Sequence, residues 1–291
     1  MNKKLIIILG PTAIGKTAIS ICMAQQLRTV IVSCDSRQIY REMRIGTAVP
    51  SAEQLAAVPH YFIGTQSIHT YYTAGKYELD ALALLDELFQ QYDTVLMAGG
   101  SGLYIDAVCH GIDAFPDADM NIRKSLAKRL KTEGIESLRF ELQRLDIETY
   151  KSIDLKNPHR ILRALEVCIA TGKPYSEWKT GKQKKRNFII EKTGLQCPRE
   201  ELYERINQRV LQMMDEGLLK EAQALYPYRH LTALKTVGYQ ELFDHFEGKT
   251  KLDETVRLIQ QHTRNYAKKQ ISYWRRYDDI RWVDARQMNE C

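Results

Sequence analysis

The stretch Lys3–Leu27, KKLIIILGPTAIGKTAISICMAQQL, limits what this chain can fold into more than any other. Its unbroken apolar run from Leu5 to Leu9 is the pattern of a strand buried on both faces. The run leads straight into Gly10-Pro11-Thr12-Ala13-Ile14-Gly15-Lys16-Thr17, a complete G-x-x-x-x-G-K-[ST] motif, and then into a helical pattern. Glycines at both ends of such a loop let backbone N–H groups close around phosphate oxygens, and the helix start adds the positive end of its dipole. In that setting Lys16 reaches the outer phosphate and the Thr17 hydroxyl holds a magnesium ion. A glycine turn that binds nothing is the bland alternative, and a full motif in strand–turn–helix context disfavours it. The loop says phosphate without saying whose.

The rest of the composition bounds the class. At 291 residues the chain is one large domain or two small ones, and 44% hydrophobic with 27% charged residues is ordinary for a globular protein. A net charge of +6 is compatible with a polyanionic partner without requiring one. The six cysteines (Cys22, Cys34, Cys109, Cys168, Cys197 and Cys291) form no C-x-x-C pair, so they read as reduced, buried thiols and not as a disulfide framework or zinc site. With no signal peptide and no long apolar span, a cytoplasmic protein without a membrane partner is expected.

After the first helix, Thr29–Ser33 reads as a second strand, ending in Asp35-Ser36-Arg37-Gln38. Ligands of doubly wound parallel sheets bind beyond the carboxyl ends of the strands, which puts Asp35 beside the phosphate loop. Residues 45–72 read as irregular. A helix follows over 76–90, amphipathic through Leu79, Leu82, Leu85 and Phe89. A third strand, Thr94–Ala98, ends in Gly99-Gly100-Ser101-Gly102. An ordinary Walker-type NTPase has a magnesium-holding carboxylate there. Glycines in its place suggest close backbone approach to a ligand, and leave Asp35 as the carboxylate of the crevice.

Strand–helix alternation then stops until a strand over 187–191. The fold expected is therefore α/β, a P-loop doubly wound parallel-sheet core formed by residues 1–116 and 187–291, with a helical insertion at 117–186. The insertion is basic at Arg123, Lys124, Lys128, Arg129 and Lys131, at His159–Arg163, and at 182–186. Asn157-Pro158 is an N-cap and first-turn pair, which sets His159, Arg160 and Arg163 in the opening turns of a helix where cations are disfavoured. A phosphate would compensate; a solvated basic face is the competing reading. One long helix is expected over 199–225, striped by Leu202, Ile206, Val210 and Met213, with Arg209 at the stripe's edge, either in a cleft or reaching out to water. A last helix over 252–276 interleaves Arg264, Lys268, Lys269, Arg275 and Arg276 with Tyr266, Tyr273 and Trp274, a pattern suited to nucleic acid or to a capping helix.

Along nearly its whole length the chain resembles bacterial tRNA dimethylallyltransferases, also called tRNA isopentenyltransferases. The resemblance rests on GPTAIGKT at Gly10, DSRQIYREM at Asp35, IGTA at Ile45, VPH at Val58, GGSGLY at Gly99 and HRILRALEV at His159. It continues through TGKPYSEW at Thr171, REELYERINQRV at Arg199, TVGYQEL at Thr236 and TRNYAKKQ at Thr263. It implies transfer of a dimethylallyl group from dimethylallyl diphosphate to the exocyclic amine of the adenosine 3′-adjacent to the anticodon, flipped into a channel. By the same resemblance the loop Gly10–Thr17 grips the donor's diphosphate, with magnesium on Thr17. Asp35 is the general base, Ser101 stands near the adenine where threonine is usual, and Arg209 stabilises the diphosphate. Asp35, Ser36, Arg37, Gln38, Ser101, Arg123 and His159, Arg160, Ile161, Leu162 and Arg163 are implied tRNA contacts. The enzyme is expected to act as a monomer, and ATP to bind at most weakly. Val49, Lys235 and Asn265 depart from the usual lysine, arginine and arginine, which softens three basic contacts on the RNA side. A small-molecule kinase using the loop for ATP, and a nucleotide-gated RNA-binding protein, are the alternatives.

Overall fold

The computed structural model describes residues 3–288 apart from Ala114, Asp117 and Ala118. Cys291 therefore lies outside the described residues. Contacts divide the chain into two compact units, one of residues 3–110 and 185–288, the other Gly111–Lys184.

The first unit is built on a six-stranded sheet in the order β3-β2-β4-β1-β5-β6, every pairing parallel. In chain order it runs β1 (Lys4–Leu9), α1 (Lys16–Leu27), β2 (Ile31–Ser33), α2 (Ala52–Ala57), β3 (His60–Tyr61), α3 (Ala74–Gln91), β4 (Thr94–Gly99) and α4 (Gly102–His110). After the second unit come β5 (Ile189–Gln196), α9 (Arg199–Asp215), α10 (Leu218–Leu225), α11 (Tyr239–Phe246), α12 (Leu252–Trp274) and β6 (Ile280–Asp284). The apolar run predicts its own position: β1 is central between β4 and β5, and Leu5, Ile7, Ile8 and Leu9 are fully buried.

Several elements differ from the sequence-based expectation, each for a visible reason. The second strand is shorter, because the Thr29 N–H closes the end of α1 on Ala24 O and does not join the ladder. The helix expected over 199–225 is two helices, broken at Gly217, whose φ of 104° a right-handed helix cannot accept. On α3 the buried face is Tyr77, Ala81, Leu85, Leu88 and Phe89; Leu79 is 67% exposed. The region 45–72 is not wholly irregular, since it holds α2 and β3. Strand β5 extends past its apolar start because Lys192, buried, finds Asp279 at 2.8 Å. Cys34, Cys109 and Cys168 are buried thiols, but Cys22 and Cys197 are only half-buried; all five are free.

The regular elements among the described residues of the second unit are helices: α5 (Met120–Leu145, kinked at Gly134), α6 (Ile147–Ser152), α7 (Pro158–Thr171) and α8 (Tyr175–Trp178). Leu126, Leu138, Leu142, Ile161, Ala164 and Leu165 form its core. Asn157 Oδ1 accepts from the His159 and Arg160 amides, the cap that the Asn-Pro pair predicts. Arg186, counted with the insertion's basic residues, instead belongs to the first unit. Its guanidinium is 9% exposed, pairs with Glu78 at 3.0 Å and donates to Ala107 O and Val108 O.

Candidate functional site

The loop between β1 and α1 has the backbone that anion capture needs. Gly10, Ala13 and Gly15 have φ of 152°, 64° and 103°, so the chain curls tightly before the helix begins. Gly15 caps α1 without any side-chain hydrogen bond, and the amides at the helix start have no capping side chain among the described residues. Pro11 and Ile14 are buried and anchor the loop, Ile14 in a cluster with Leu195 and Leu202. Lys16 Nζ folds back on the loop, donating to Gly10 O at 3.0 Å and Pro11 O at 2.7 Å.

A cleft of about 890 Å³ opens beside this loop, within the first unit. Lys16, Thr17, Asp35 and Arg209 all face it, so the structure brings the loop, the end of β2 and α9 together. Arg209, whose orientation sequence alone leaves open, points into the cleft, with Nη1 3.4 Å from Thr12 Oγ1. Burial lowers the Lys16 pKa from 10.5 to about 8, and the Arg209 charge pushes the same way; Asp35 and Cys34 oppose both. Burial also lowers the Arg209 pKa, with Asp35 acting against it. Two cations forced together in a desolvated wall are poorly compensated until an anion arrives.

Asp35 is held by its own turn: Oδ1 accepts from Arg37 N at 2.8 Å and Gln38 N at 3.3 Å. Ser101 Oγ accepts from Ser36 N at 2.9 Å and lies 3.1 Å from Ser36 Oγ, which ties the β4 terminus to the β2 terminus. Two of the expected contact side chains are occupied within the protein. Arg37 donates to Ala233 O, and the Gln38 amide donates to Thr47 O and Ala48 O. The glycines after β4 also serve the protein itself: a Cβ on Gly99 would meet Cys34 at 2.7 Å. Close backbone approach is real there, to Cys34, and Gly99 also lines the cleft.

Sequence reasoning missed further members of the cleft wall, among them Tyr266, Glu216 and Gln270. Gln270 is almost fully buried and bridges the loop to β4, accepting from Thr12 N and donating to Gly100 O, each at 2.9 Å. Its only signal was the TRNYAKKQ stretch, and the partners it joins are far away in sequence. Among the described residues no cluster of three or more His, Cys, Asp or Glu could hold a metal. The Thr17 hydroxyl, half-buried in the cleft wall, has no hydrogen-bond partner among the described residues.

In the helical unit, His159 and Arg160 are exposed, and their side chains meet no acceptor among the described residues. Leu162 is half-buried. Ile161 is not a surface contact: it is fully buried in the helical core. Arg163 reaches Glu166 at 2.9 Å and lies over the Phe115 ring, while Arg123 lies 3.8 Å from the same Glu166, a carboxylate only 2% exposed. The anion that steadies Arg163 at this helix start is thus internal. No helix among the described residues is long and apolar enough to cross a membrane.

Residues 38–277 match the family model described as IPP transferase. The chain is 49% identical over 290 residues to a tRNA dimethylallyltransferase 1 of Phocaeicola vulgatus, covering all of this chain and 97% of that relative. It is 48% identical to a tRNA dimethylallyltransferase 1 of Bacteroides fragilis, covering 99% of this chain and 96% of that one. Among solved structures it is similar to a tRNA isopentenylpyrophosphate transferase of Bacillus halodurans, with a TM-score of 0.70, 32% identity, and coverage of 97% of this chain and 90% of that one. A eukaryotic dimethylallyltransferase acting on tRNA, at 22% identity, shares the fold with a TM-score of 0.81 over 97% of this chain and 74% of that one.

Proposed function

The chain belongs to the IPP transferase family, and from that premise we propose how its residues divide the work of prenylating tRNA. The reaction is transfer of a dimethylallyl group to the exocyclic amine of the adenosine 3′-adjacent to the anticodon. The donor we assign is dimethylallyl diphosphate. Carbon 1 of the prenyl group leaves the diphosphate oxygen as the amine nitrogen bonds to it, and the amine gives up one proton.

Negative charge grows on the departing diphosphate, and the amides at the start of α1, Lys16 and Arg209 oppose it. Preorganised donors of this kind each contribute on the order of 10²–10³ in rate. Asp35 takes the proton, since its Oδ2 is left free by the turn that occupies Oδ1. Ser101 steadies the β2–β4 crevice in which the adenine lies. The Thr17 hydroxyl, without a hydrogen-bond partner among the described residues, would hold a magnesium ion. When bound, that ion supplies charge neutralisation for the leaving group. The exposed His159 and Arg160 suit contact with the tRNA backbone. We assign the reaction to the cytoplasm.

The observation that carries this reading is one cleft lined at once by Lys16, Arg209 and Asp35, with no carboxylate at the end of β4. The test is transfer from labelled dimethylallyl diphosphate to an anticodon stem-loop with magnesium and no ATP. Transfer is expected, and inorganic pyrophosphate is expected to compete with the donor. A strict requirement for ATP would overturn the reading.

A further inference from the structure

Glu221, on α10, is part of none of the motifs above, yet its carboxylate accepts four hydrogen bonds. Oε2 accepts from Arg44 N at 3.0 Å and Ile45 N at 2.8 Å. Oε1 accepts from Gly46 N at 3.0 Å and from the Tyr239 hydroxyl at 2.6 Å. Three successive backbone amides and a phenol therefore converge on one side chain. Burial and the Glu221 charge both raise the Tyr239 pKa, which keeps that phenol a donor. The fit is close: a Cβ on Gly46 would stand 2.7 Å from the Tyr239 ring.

The segment held this way is a wall of the cleft. Arg44, Ile45, Thr47, Ala48 and Val49 line it, as does Met213 of α9. Its far end is fastened by a second clamp, since the Gln38 amide donates to Thr47 O at 3.1 Å and Ala48 O at 2.9 Å. Ala48 sits at φ 51°, a left-handed conformation that a non-glycine residue keeps only when its surroundings impose it. The cleft lining thus combines the cations Lys16 and Arg209 with the apolar side chains of Ala48, Val49 and Met213. A prenyl diphosphate likewise joins a charged group to an apolar chain.

We propose that Glu221 is a positioning residue that sets how far the 44–49 wall stands into the cleft, and so limits the length of prenyl chain the donor can carry. This rests on the reading of the cleft as the donor site. Released from the carboxylate, the three amides lose their common anchor, and the wall with Ala48 and Val49 draws back from the chain while the phosphate loop stays in place.

The experiment compares wild type with Glu221→Gln, and with Tyr239→Phe, which removes one donor and leaves the three amides held. Steady-state kinetics use dimethylallyl diphosphate and the longer geranyl diphosphate, with an anticodon stem-loop as acceptor and pyrophosphate as competitive inhibitor. For Glu221→Gln the KM for dimethylallyl diphosphate should rise about tenfold, the loss of a charge-assisted anchor. Its kcat should stay within about threefold and the pyrophosphate Ki within about twofold, because pyrophosphate carries no prenyl chain. The kcat/KM ratio of geranyl over dimethylallyl donor should rise about fivefold or more. Tyr239→Phe should move the same quantities in the same direction by less, and it decides the matter alone should Glu221→Gln not fold. An unchanged donor KM and chain-length ratio, or a pyrophosphate Ki rising in step with KM, would overturn the proposal. A wild-type protein that transfers no prenyl group to tRNA would instead overturn the donor-site reading beneath it.

Discussion

Lys16 gives a prediction that can be read without any turnover. In the free protein its pKa is lowered from 10.5 to about 8, first by burial and then by Arg209. That corresponds to about 3 kcal/mol of disfavour for the charged form. A diphosphate seated against Nζ removes the cause and restores the pKa toward its ordinary value. The sign follows from a depressed lysine: the cation is present below pH 8 and is lost as pH rises through it, so anion binding weakens above that point. Donor binding at pH 8 should take up about half a proton per site, nearly one at pH 9, and almost none at pH 6.5. Affinity should fall about tenfold between pH 7 and 9. Titration calorimetry with dimethylallyl diphosphate and magnesium, without tRNA, in buffers of different ionisation enthalpy measures the uptake directly. Lys16→Arg, whose cation does not titrate in this range, should bind without it. Proton uptake near zero at pH 8.5 together with a flat affinity profile would refute the argument.

Three further outcomes follow from the geometry. Asp35→Asn should leave tRNA binding intact and lower kcat by about 10²-fold or more, measured by single-turnover transfer; near-normal turnover removes Asp35 from proton abstraction. Arg160→Ala should weaken tRNA binding and flatten its salt dependence by about one unit of slope, whereas Arg163→Ala should also destabilise the helical unit by about 1–3 kcal/mol, because buried Glu166 loses its nearer partner; salt-dependent binding curves and urea unfolding separate the two. Arg186→Ala should cost about 1–3 kcal/mol in chemical denaturation, since it removes a guanidinium hydrogen-bonded to buried Glu78 and to two main-chain carbonyls while touching nothing in the cleft.

What could be read from the chain in advance was whatever local pattern controls. The apolar run before Gly10 reads as a strand buried on both faces, and Asn157-Pro158 reads as the start of a helix. Asp35 came to the crevice by topology. The unread parts depend on distant partners. Strand β3 is two residues long and has no period, and β6 is recognisable only where Trp282 packs over Gly194 of β5. Leu79 fits the apolar spacing of α3 as well as Leu82 does, but the helix is turned so that Tyr77 and Ala81 face inward. Arg209 could lie in water or in a cleft until α9 was docked against the loop. Gln270 and Glu221 are polar residues on helices, ordinary in sequence, and their roles exist only because Thr12, Gly100 and the 44–46 amides arrive from elsewhere.

The placement of Arg186 bears on how such a chain could have been assembled. The polypeptide leaves the sheet unit after α4 and re-enters it just before β5, and Arg186 fastens the returning strand to the carbonyls of Ala107 and Val108 at the departing helix. Departure and return are thus stitched into one seam. A segment whose two ends meet at a seam can be exchanged, lengthened or deleted with little change in the entropy of closing the loop, which grows only with the logarithm of its length. Between them lies a unit with its own apolar core, the form that a tolerated domain insertion takes. Exchange at this point would alter the helical unit while leaving the cleft of the sheet unit untouched.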